Sequence, residues 1–148
     1  MGAFVEPGVR VEEECPFCEV AGLQSGWTRK TSGSTIGRSA AAFPDNYPVA
    51  PGHTLVVPRR HVTSILHLDE DEMGDLWSMV NLVADQLKGS CSGMNIGTNV
   101  GAAGGQTVEH AHVHVIPRRK GDVIDPRGGV RWVIPEKARY WAMPNYPA

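Results

Sequence analysis

The longest regular pattern in the chain is a helical one. From Asp69 to Leu87, apolar side chains recur three and four positions apart, the spacing that places them on one face of an α-helix. These side chains are Met73, Leu76, Trp77, Val80, Val83, Ala84 and Leu87. Asp69 stands where an N-cap is expected, Glu72 follows three residues later, and Gly89 lies just beyond the pattern. The sequence therefore predicts one long amphipathic helix that begins after Asp69 and stops at Gly89.

Shorter apolar runs on both sides of this helix predict strands. One run ends at Phe43, a second extends from His53 to Val57, and the turn residues of 45–52 separate them. After the helix, Met94 to Asn99 predicts another strand, and residues 110–116 follow beyond a glycine-rich loop. Hairpin-length connections between strands, together with one long helix, indicate an α+β fold on a mostly antiparallel sheet.

The last of these runs alternates histidine with small apolar residues. In the stretch EHAHVHVIPRR, His110, His112 and His114 occupy every second position, and Ala111 and Val113 lie between them. An extended chain points successive side chains to opposite faces, so we expect a strand with three imidazoles on one face. The intervening apolar residues then face the core.

Length and charge limit the functions that this pattern can serve. The 148 residues fit a single domain over 1–148, with an irregular arm over residues 1–14 and a C-terminal tail over residues 120–148. Because the tail directly follows the histidine strand, we expect it near the active site, on the leaving-group side of the substrate. A formal net charge of −2 gives no basic excess for a nucleic acid or an anionic membrane, so neither partner is expected. The N-terminal residues show no secretory pattern, and an odd cysteine count is typical of a reducing compartment, which indicates a cytoplasmic protein.

The loop before the histidines changes their interpretation. The spacing of the histidines alone is compatible with catalysis, with metal binding or with a solvated strand face. Residues 101–107 read GAAGGQT, and their glycines allow positive φ and close approach of backbone N–H groups to an anion. Donors for a phosphate would then lie beside a nucleophile and an acid, which favours a displacement reaction at phosphorus.

A second motif, Cys15-Pro16-Phe17-Cys18, is half of a tetrahedral zinc site with the usual two-residue gap. In a reducing compartment a pair of zinc ligands is favoured over a disulfide. A thioredoxin-like redox site would need a strand before the motif and a helix after it, and the acidic run Glu12 to Glu14 favours neither.

The sequence GGQTVEHAHVHVIPR resembles the signature of the histidine triad family, His-φ-His-φ-His-φ-φ, in which φ is apolar. Residues 110–116 match this signature at every position, and PGHTLVVPRRH is similar to the strand that precedes the helix in this family. The resemblance extends over residues 15–120 and includes members of the bacterial type, which carry an N-terminal cysteine pair. It departs at Glu109, where members often have an apolar or aromatic residue, and this changes the surface near the site.

The resemblance implies a nucleotide hydrolase or transferase that acts at the α-phosphate of a nucleoside polyphosphate or phosphoramidate. It assigns nucleophilic attack to the middle histidine, His112, and a bond to a phosphoryl oxygen to His114. His53 would support the leaving group or the triad, with a histidine bonded into the sheet as the alternative. The other phosphate-binding residues that it implies are Asn99, Gly105, Gln106 and Thr107.

The same resemblance implies residues that bind the nucleoside and a metal. Asp45 stands where the family places a ligand of the ribose hydroxyls, although Pro44-Asp45-Asn46 is equally good turn sequence. Phe43 and Ile36 would offer the base an apolar wall. Family members with the cysteine pair hold a structural zinc, whose ligands here would be Cys15, Cys18, His61 and His110. Mg²⁺ that accompanies a polyphosphate substrate is the second cofactor considered.

Three functions are compatible with these residues. The leading one is hydrolysis of a dinucleoside polyphosphate, such as diadenosine tetraphosphate, or of a nucleoside phosphoramidate. The alternatives are a nucleotidyltransferase or phosphorylase that uses another acceptor, and a nucleotide-binding regulatory module with slow turnover. The related galactose-1-phosphate uridylyltransferases carry glutamine at the third histidine position, so His114 favours hydrolysis. In the family the helix and the following strand pair across a twofold axis, which implies a homodimer.

Overall fold

The computed structural model describes residues 15–21 and 33–147, and the predicted arm over residues 1–14 lies outside these ranges. The strands are β1 (Thr35–Ile36), β2 (Ala40–Pro44), β3 (Thr54–Pro58), β4 (Gly93–Gly97) and β5 (Val113–Arg118). The α-helices are α1 (Pro16–Ala21), α2 (Glu70–Leu87) and α3 (Pro135–Ala138), and short 3₁₀ turns link several of these elements. None of the described helices has the length and hydropathy that crossing a membrane requires.

The described strands form one antiparallel sheet with the order β1-β2-β3-β5-β4. The last strand in sequence, β5, therefore lies between β3 and β4, and β4 forms an edge of the sheet. His114 of β5 lies opposite Leu55 of β3 on one side and opposite Gly97 of β4 on the other. The prediction of an α+β fold, with a mostly antiparallel sheet and one long helix, is confirmed.

Each face of the sheet packs against a different layer, because successive strand residues point to opposite sides. The face that packs against α2 carries Ala40, Ala42, Val56, Val113 and Val115, and α2 contributes Leu76, Met79, Val80 and Val83. The opposite face carries Ala41, Phe43, Leu55 and Val57 and packs against Phe17 of α1. His114 lies on this second face, since it is the cross-strand partner of Leu55. His114 therefore lies on the face of the sheet opposite α2.

Helix α2 begins after Asp69 and ends at Leu87, as its apolar pattern predicted. The Asp69 carboxylate accepts a hydrogen bond from the Glu72 N–H at 2.8 Å, and the Glu72 carboxylate accepts one from the Asp69 N–H at 3.0 Å. These reciprocal bonds form the capping box that the sequence indicated. The helix ends at Leu87, and Gly89 lies in the 3₁₀ turn Lys88–Ser90 that follows.

The predicted histidine strand is shorter than its sequence pattern. Strand β5 begins at Val113, so His110 and His112 precede it and only His114 belongs to the ladder. The expectation of three histidines on one strand is therefore wrong in its boundary. The alternation holds within β5, where Val113 and Val115 pack against α2 and His114 between them faces the other side of the sheet.

The absence of a helix after the cysteine pair was also expected, and this expectation is wrong. Helix α1 begins at Pro16 and contains Cys18. Pro16 suits the first helical position, because its φ is fixed near the helical value and its missing N–H would have no partner there. The acidic residues before Cys15 lie outside the described ranges.

The tail after β5 is organised by stacked arginine and aromatic side chains. The pairs are Arg127 over Trp141, Arg131 over Tyr140 and Arg139 over Trp132, at 4.5, 4.9 and 5.5 Å from the ring centres. The tail meets the sheet at Asn95 of β4, where a Cβ on Gly129 would lie 3.2 Å from the Asn95 side-chain nitrogen. Arg118, at the end of β5, also donates to Asn95 at 2.6 Å. The contact is thus at the opposite end of β5 from His112, and a position over bound substrate stays a prediction.

Candidate functional site

The predicted functional side chains meet at one end of the sheet, on the face opposite α2. Ring contacts connect His53 to His114 and His114 to His112, with centroids 5.2 and 5.1 Å apart. His61 and His110 form a neighbouring pair at 4.9 Å. Asp45 joins the group because its N–H donates to the His53 carbonyl at 3.0 Å and closes the β2–β3 hairpin. The fold therefore gathers residues that are far apart in sequence.

One nitrogen of His112 is bonded to the main chain in a way that leaves the other nitrogen with a lone pair. His112 Nδ1 lies 2.8 Å from the carbonyl oxygen of His110. Because a carbonyl oxygen only accepts, Nδ1 carries the proton in the neutral ring and Nε2 is unprotonated. The hydroxyl of Thr98 donates to the His112 carbonyl at 2.7 Å and fixes the backbone of the same residue. In its neutral form His112 therefore has a fixed orientation and an unprotonated Nε2.

His53 and His114 form a directional chain of hydrogen bonds. The N–H of Val49 donates to His53 Nδ1 at 3.2 Å, so the proton of neutral His53 is on Nε2. His53 Nε2 lies 2.9 Å from His114 Nδ1 and 3.4 Å from a carboxylate oxygen of Asp45. When His53 donates to His114 Nδ1, the proton of His114 is on Nε2. His114 then has an N–H available for an oxygen outside the chain.

Burial keeps both rings of this chain neutral near pH 7. Burial lowers the pKa of His53 below its ordinary value of 6.5, and the carboxylate of Asp45 opposes this shift. Burial also lowers the pKa of His114, with a further lowering from His112 and His53 and an opposing effect of Asp45. The pKa directions therefore agree with the neutral tautomers that the hydrogen bonds assign.

The glycine-rich loop lies beside the histidines, and most of its N–H groups close the loop itself. The N–H groups of Gly104 and Gln106 donate to the Gly101 carbonyl, and that of Gly105 donates to the Ala102 carbonyl, at 3.0–3.1 Å. Among the described residues, the N–H of Thr107 has no protein acceptor. Gly105 adopts φ of 90°, in the left-handed region, and a Cβ at this position would lie 4.0 Å from Cγ of Asn99. The Thr107 N–H is therefore available to an oxygen from outside the protein, and the amide of Asn99 lies near the same loop.

The four predicted metal ligands meet in a second cluster. Cys15, Cys18, His61 and His110 each bring one ligand atom, and all four atoms lie within 4.8 Å of one another. The Cys18 sulfur lies 3.1 Å from His61 Nδ1 and 3.4 Å from His110 Nδ1, and the Cys15 sulfur also lies 3.4 Å from His110 Nδ1. A tetrahedral zinc with these donors has sulfur-to-nitrogen edges of about 3.6 Å. The arrangement is therefore close to that of a closed zinc site.

The surroundings of His110 support the same assignment. Its Nε2 donates to the Pro58 carbonyl at 2.8 Å, which leaves the lone pair of Nδ1 directed toward the two sulfur atoms. Burial lowers the pKa of His110 to about 4, so the ring is neutral and able to bind a metal at pH 7. His61 lacks the corresponding hydrogen bond, because among the described residues its buried Nε2 has no partner. The set of two thiols and two imidazoles fits zinc.

Asp45, His53 and His114 also lie close enough to hold a metal, with one ligand atom each. A metal on His53 Nε2 would require the ring proton on Nδ1, where the N–H of Val49 already donates. Two nitrogen ligands and one carboxylate also do not suit Mg²⁺, which prefers oxygen ligands. The hydrogen bonds therefore favour the hydrogen-bonded chain from His53 to His114 over a metal at this position.

A family model described as HIT domain matches residues 37–121 of the chain, which is more than half of its length. The chain belongs to the HIT-domain family. This match includes the β2–β3 hairpin, α2 and the histidine segment, whereas the cysteine pair lies before its first residue.

Relatives of this HIT domain include named nucleotide enzymes. The chain is 44% identical over 85 residues to a bis(5'-nucleosyl)-tetraphosphatase [asymmetrical] from Schizosaccharomyces pombe, with 56% of this chain and 47% of that protein covered. It thus spans about half the length of that relative. It is 33% identical over 141 residues to the AP-4-A phosphorylase of Mycobacterium tuberculosis, with 90% and 69% covered.

A solved structure of a Zn-bound histidine triad family protein from Mycobacterium smegmatis has the same fold. The TM-score is 0.65 at 26% sequence identity, and the match covers 78% of this chain and 82% of that one. The bound zinc is a property of the Mycobacterium smegmatis protein.

Two residues of the site were not identified from the sequence. Phe17 lies between the two cysteines and contacts the ring of His112, with centroids 5.2 Å apart, and that of Phe43, at 5.4 Å. Its position inside the cysteine motif was the only available signal, because α1 was not predicted. Thr98 was included in a predicted strand, and its bond to the His112 carbonyl depends on a loop geometry that the pattern does not encode.

Proposed function

We propose that this HIT domain is a nucleotide hydrolase that acts at the α-phosphate through a nucleotidyl-histidine intermediate on His112. The substrate class is a dinucleoside polyphosphate, such as diadenosine tetraphosphate, or a nucleoside phosphoramidate. The observation that carries the proposal is the lone pair of His112 Nε2, which the His110 carbonyl fixes by holding the proton on Nδ1. The names of the relatives support a nucleotide-processing activity.

The first step is in-line displacement at phosphorus. The lone pair of His112 Nε2 forms a bond to the α-phosphorus while the bond to the leaving group breaks, and a polyphosphate departs as its anion. The ring gains a positive charge, and the Nδ1–H bond to the His110 carbonyl strengthens as it does so. Water then forms a bond to phosphorus, the N–P bond breaks, and the electron pair returns to Nε2 as the water proton leaves for solvent.

The phosphoryl oxygens of the substrate are bound by donors on both sides of the nucleophile. His114 supplies its Nε2–H, with the tautomer set by His53, and Thr107 supplies its backbone N–H. The amide of Asn99 and the turn at Gly105 complete the phosphate site. These donors are in place before charge develops on the oxygens, which is the condition for efficient stabilisation of the transition state.

The nucleoside occupies the α1 side of the sheet in this proposal. Asp45 accepts from the Tyr47 N–H through Oδ1, and its Oδ2, which lies 3.4 Å from His53 Nε2, would also accept from the ribose hydroxyls. Phe43 and Phe17 offer apolar rings to the base, with Ile36 at the edge of the sheet exposed at 41%. Stacking between such rings gives affinity with little selectivity among bases.

Zinc has a structural role in this proposal. Cys15, Cys18, His61 and His110 would supply all four ligands, so no position is open for water and zinc provides only cross-links between α1, the segment after β3 and the histidine segment. Thiolate ligands persist in a reducing compartment, so the proposal places the protein in the cytoplasm. Magnesium would enter only as a companion of the polyphosphate.

One relative favours inorganic phosphate, instead of water, as the acceptor of the nucleotidyl group. The relative named AP-4-A phosphorylase matches 90% of this chain, which is more than the tetraphosphatase matches. If phosphate replaces water, the nucleotidyl group leaves His112 as a nucleoside diphosphate. Reaction of diadenosine tetraphosphate with and without inorganic phosphate, followed by product separation, distinguishes the two. AMP indicates hydrolysis and ADP indicates phosphorolysis, whereas binding without turnover indicates a regulatory module.

The decisive variant is His112→Ala, with His67→Ala as the matched control because His67 is an exposed histidine. Loss of a covalent nucleophile lowers kcat by about 10³-fold or more, whereas AMP still binds. Mass spectrometry of quenched wild-type reactions should show the nucleotidyl adduct on the peptide that contains His112. Near-normal turnover of His112→Ala would refute the covalent mechanism.

We also propose that the protein is a homodimer that pairs through β4 and α2. Strand β4 is an edge of the sheet, and an unpaired edge is a surface that proteins usually cover. Ile96 of β4 and Trp77 and Leu82 of α2 are 37%, 39% and 44% exposed. Sedimentation velocity at micromolar concentration measures the oligomeric state directly.

A further inference from the structure

The side-chain amide of Gln106 is engaged entirely by the main chain. Its oxygen accepts from the Gly101 N–H at 2.9 Å. Its nitrogen donates to the Thr63 carbonyl at 2.7 Å and to the Val108 carbonyl at 3.0 Å. A carboxamide has two N–H donors, and both are used here. Gln106 therefore has no donor left for a phosphate in this conformation, although the sequence indicated it as a phosphate-binding residue.

The acceptor on Thr63 belongs to a segment that contacts each part of the site in turn. His61 Nδ1 lies 3.1 Å from the Cys18 sulfur. The carbonyl of the next residue, Val62, accepts from the Ala111 N–H at 2.7 Å in the histidine segment. Thr63 then accepts from Gln106. Residues 61–63 thus connect the cysteine and histidine cluster, the histidine segment and the glycine-rich loop to one another.

The glycine-rich loop depends on this connection because it has little else to hold it. Residues 101–105 are all exposed, and their backbone hydrogen bonds close only within the loop. Glycine-rich backbone loses more conformational entropy on ordering than other sequences do. In the described part of the chain, the two bonds from the Gln106 nitrogen join the loop to Thr63 and to Val108, and the bond to its oxygen ties the Gly101 end of the loop to the same side chain.

We propose that Gln106 is a positioning residue, which holds the loop of residues 101–107 against Thr63 and thereby sets the Thr107 N–H relative to His112, without itself contacting phosphate. The part that concerns phosphate rests on the proposed function. The part that concerns the loop does not, because the hydrogen bonds exist in the free protein.

The test measures the loop before any nucleotide is added. Hydrogen exchange at the Gly101 amide, resolved by NMR in the free protein, should be slow in the wild type and about tenfold or more faster in Gln106→Ala, because the acceptor of that N–H is removed. Gln106→Met fills a similar volume without the hydrogen bonds and should give the same increase, even if Gln106→Ala folds poorly. Gln86→Ala, an exposed glutamine of α2, is the matched control and should change nothing.

Binding of AMP gives the second readout. Both Gln106 variants should raise the Kd for AMP by about tenfold, while exchange at residues of α2 remains at the wild-type rate. Wild-type exchange rates at Gly101 in either variant, or an unprotected Gly101 in the wild type, would overturn the inference. If neither the wild type nor any variant binds nucleotide but the exchange difference is present, the proposed function fails and the positioning role stands.

Discussion

Histidines two residues apart in one segment carry their protons on different nitrogens because each has a different hydrogen-bond partner. The Pro58 carbonyl accepts a hydrogen bond from Nε2 of His110, and the His110 carbonyl accepts one from Nδ1 of His112. His114 instead receives a hydrogen bond from His53 on its Nδ1. These partners leave a lone pair on His110 Nδ1 directed at the two cysteine sulfurs, a lone pair on Nε2 of His112, the proposed nucleophile, and an N–H on His114. The main chain and His53 thus assign the tautomers.

The lowered pKa of His53 predicts that the protein becomes less stable in weak acid. Between the folded pKa and 6.5, the unfolded chain takes up a proton that the folded chain does not, so the free energy of unfolding falls as pH falls. The stabilisation is fully present above about pH 6.5 and is lost as pH approaches the folded pKa. Urea unfolding at about pH 7.5 and about pH 5.5 measures the difference.

The variant His53→Gln isolates the contribution of this group. Glutamine can still donate to His114 but does not titrate, so the loss of stability between the two pH values should become smaller. His67→Gln removes an exposed histidine and should leave the difference as it is in the wild type. An equal pH dependence in His53→Gln and wild type would show that His53 does not carry this linkage.

At the scale of elements, the glycine-rich loop needs glycine at Gly105 for its backbone conformation rather than for space. Gly105 has φ of 90°, whereas Gly104 has no positive φ, and a Cβ on Gly104 would meet nothing within 4 Å. Gly105→Ala should therefore strain the turn and weaken AMP binding about tenfold. Gly104→Ala is the matched control and should bind nearly as tightly as wild type.

Calorimetric titration with AMP measures both variants, and Thr107→Ser should also be mild because the backbone N–H remains. A bulkier change, Gly105→Val, should be at least as damaging as Gly105→Ala. Equal affinity of Gly105→Ala and Gly104→Ala for AMP would remove this turn from the nucleotide site.

The boundaries of elements show where sequence patterns lose their information. The alternation around His112 predicted one continuous strand, but the ladder begins only at Val113, and the Ala111 N–H donates instead to the Val62 carbonyl. Helix α2 was predicted almost to the residue, since its capping box and its apolar spacing are both local signals. Helix α1 has six residues, too few for a periodic pattern to reveal.

At the scale of the whole molecule, the metal cluster joins parts of the chain that are far apart in sequence. Cys15→Ser removes one of the four proposed ligands, so bound zinc should fall well below one per chain and the melting temperature should drop. Cys91→Ser is the matched control, because the Cys91 thiol only donates to the Leu87 carbonyl and lies outside the cluster. Metal analysis of untagged protein and differential scanning fluorimetry measure the two effects.

Chelation of the wild type should reproduce the Cys15→Ser result and leave Cys15→Ser itself nearly unaffected. The loss of activity should be smaller than for His112→Ala, because zinc only cross-links the site in this proposal. Preparations of wild type that repeatedly contain no zinc, with the melting temperature of Cys15→Ser unchanged, would mean that the cysteines are an ordinary packed pair.

The sequence predicted the architecture and the members of the site more completely than the contacts among them. The histidine signature and the cysteine pair named the residues that the fold brings together, because their spacing follows from chemistry. The hydrogen-bond partners did not follow from any pattern. The engagement of Gln106 by Thr63 and the bond from Thr98 to the His112 carbonyl depend on how loops meet in space.

The position of β5 in the sheet has a consequence for the newly made chain. Strand β5 is the last of the described strands to be synthesised, yet it lies between β3 and β4. Until Val113–Arg118 is inserted, β3 and β4 each present an unpaired row of backbone groups, and such non-local pairing forms slowly. The histidine segment is continuous with this strand, so closing the sheet and assembling the site are one folding event. A chain that stalls before Val113 therefore lacks the complete histidine site and exposes unpaired backbone on β3 and β4. Such species aggregate or are bound by chaperones.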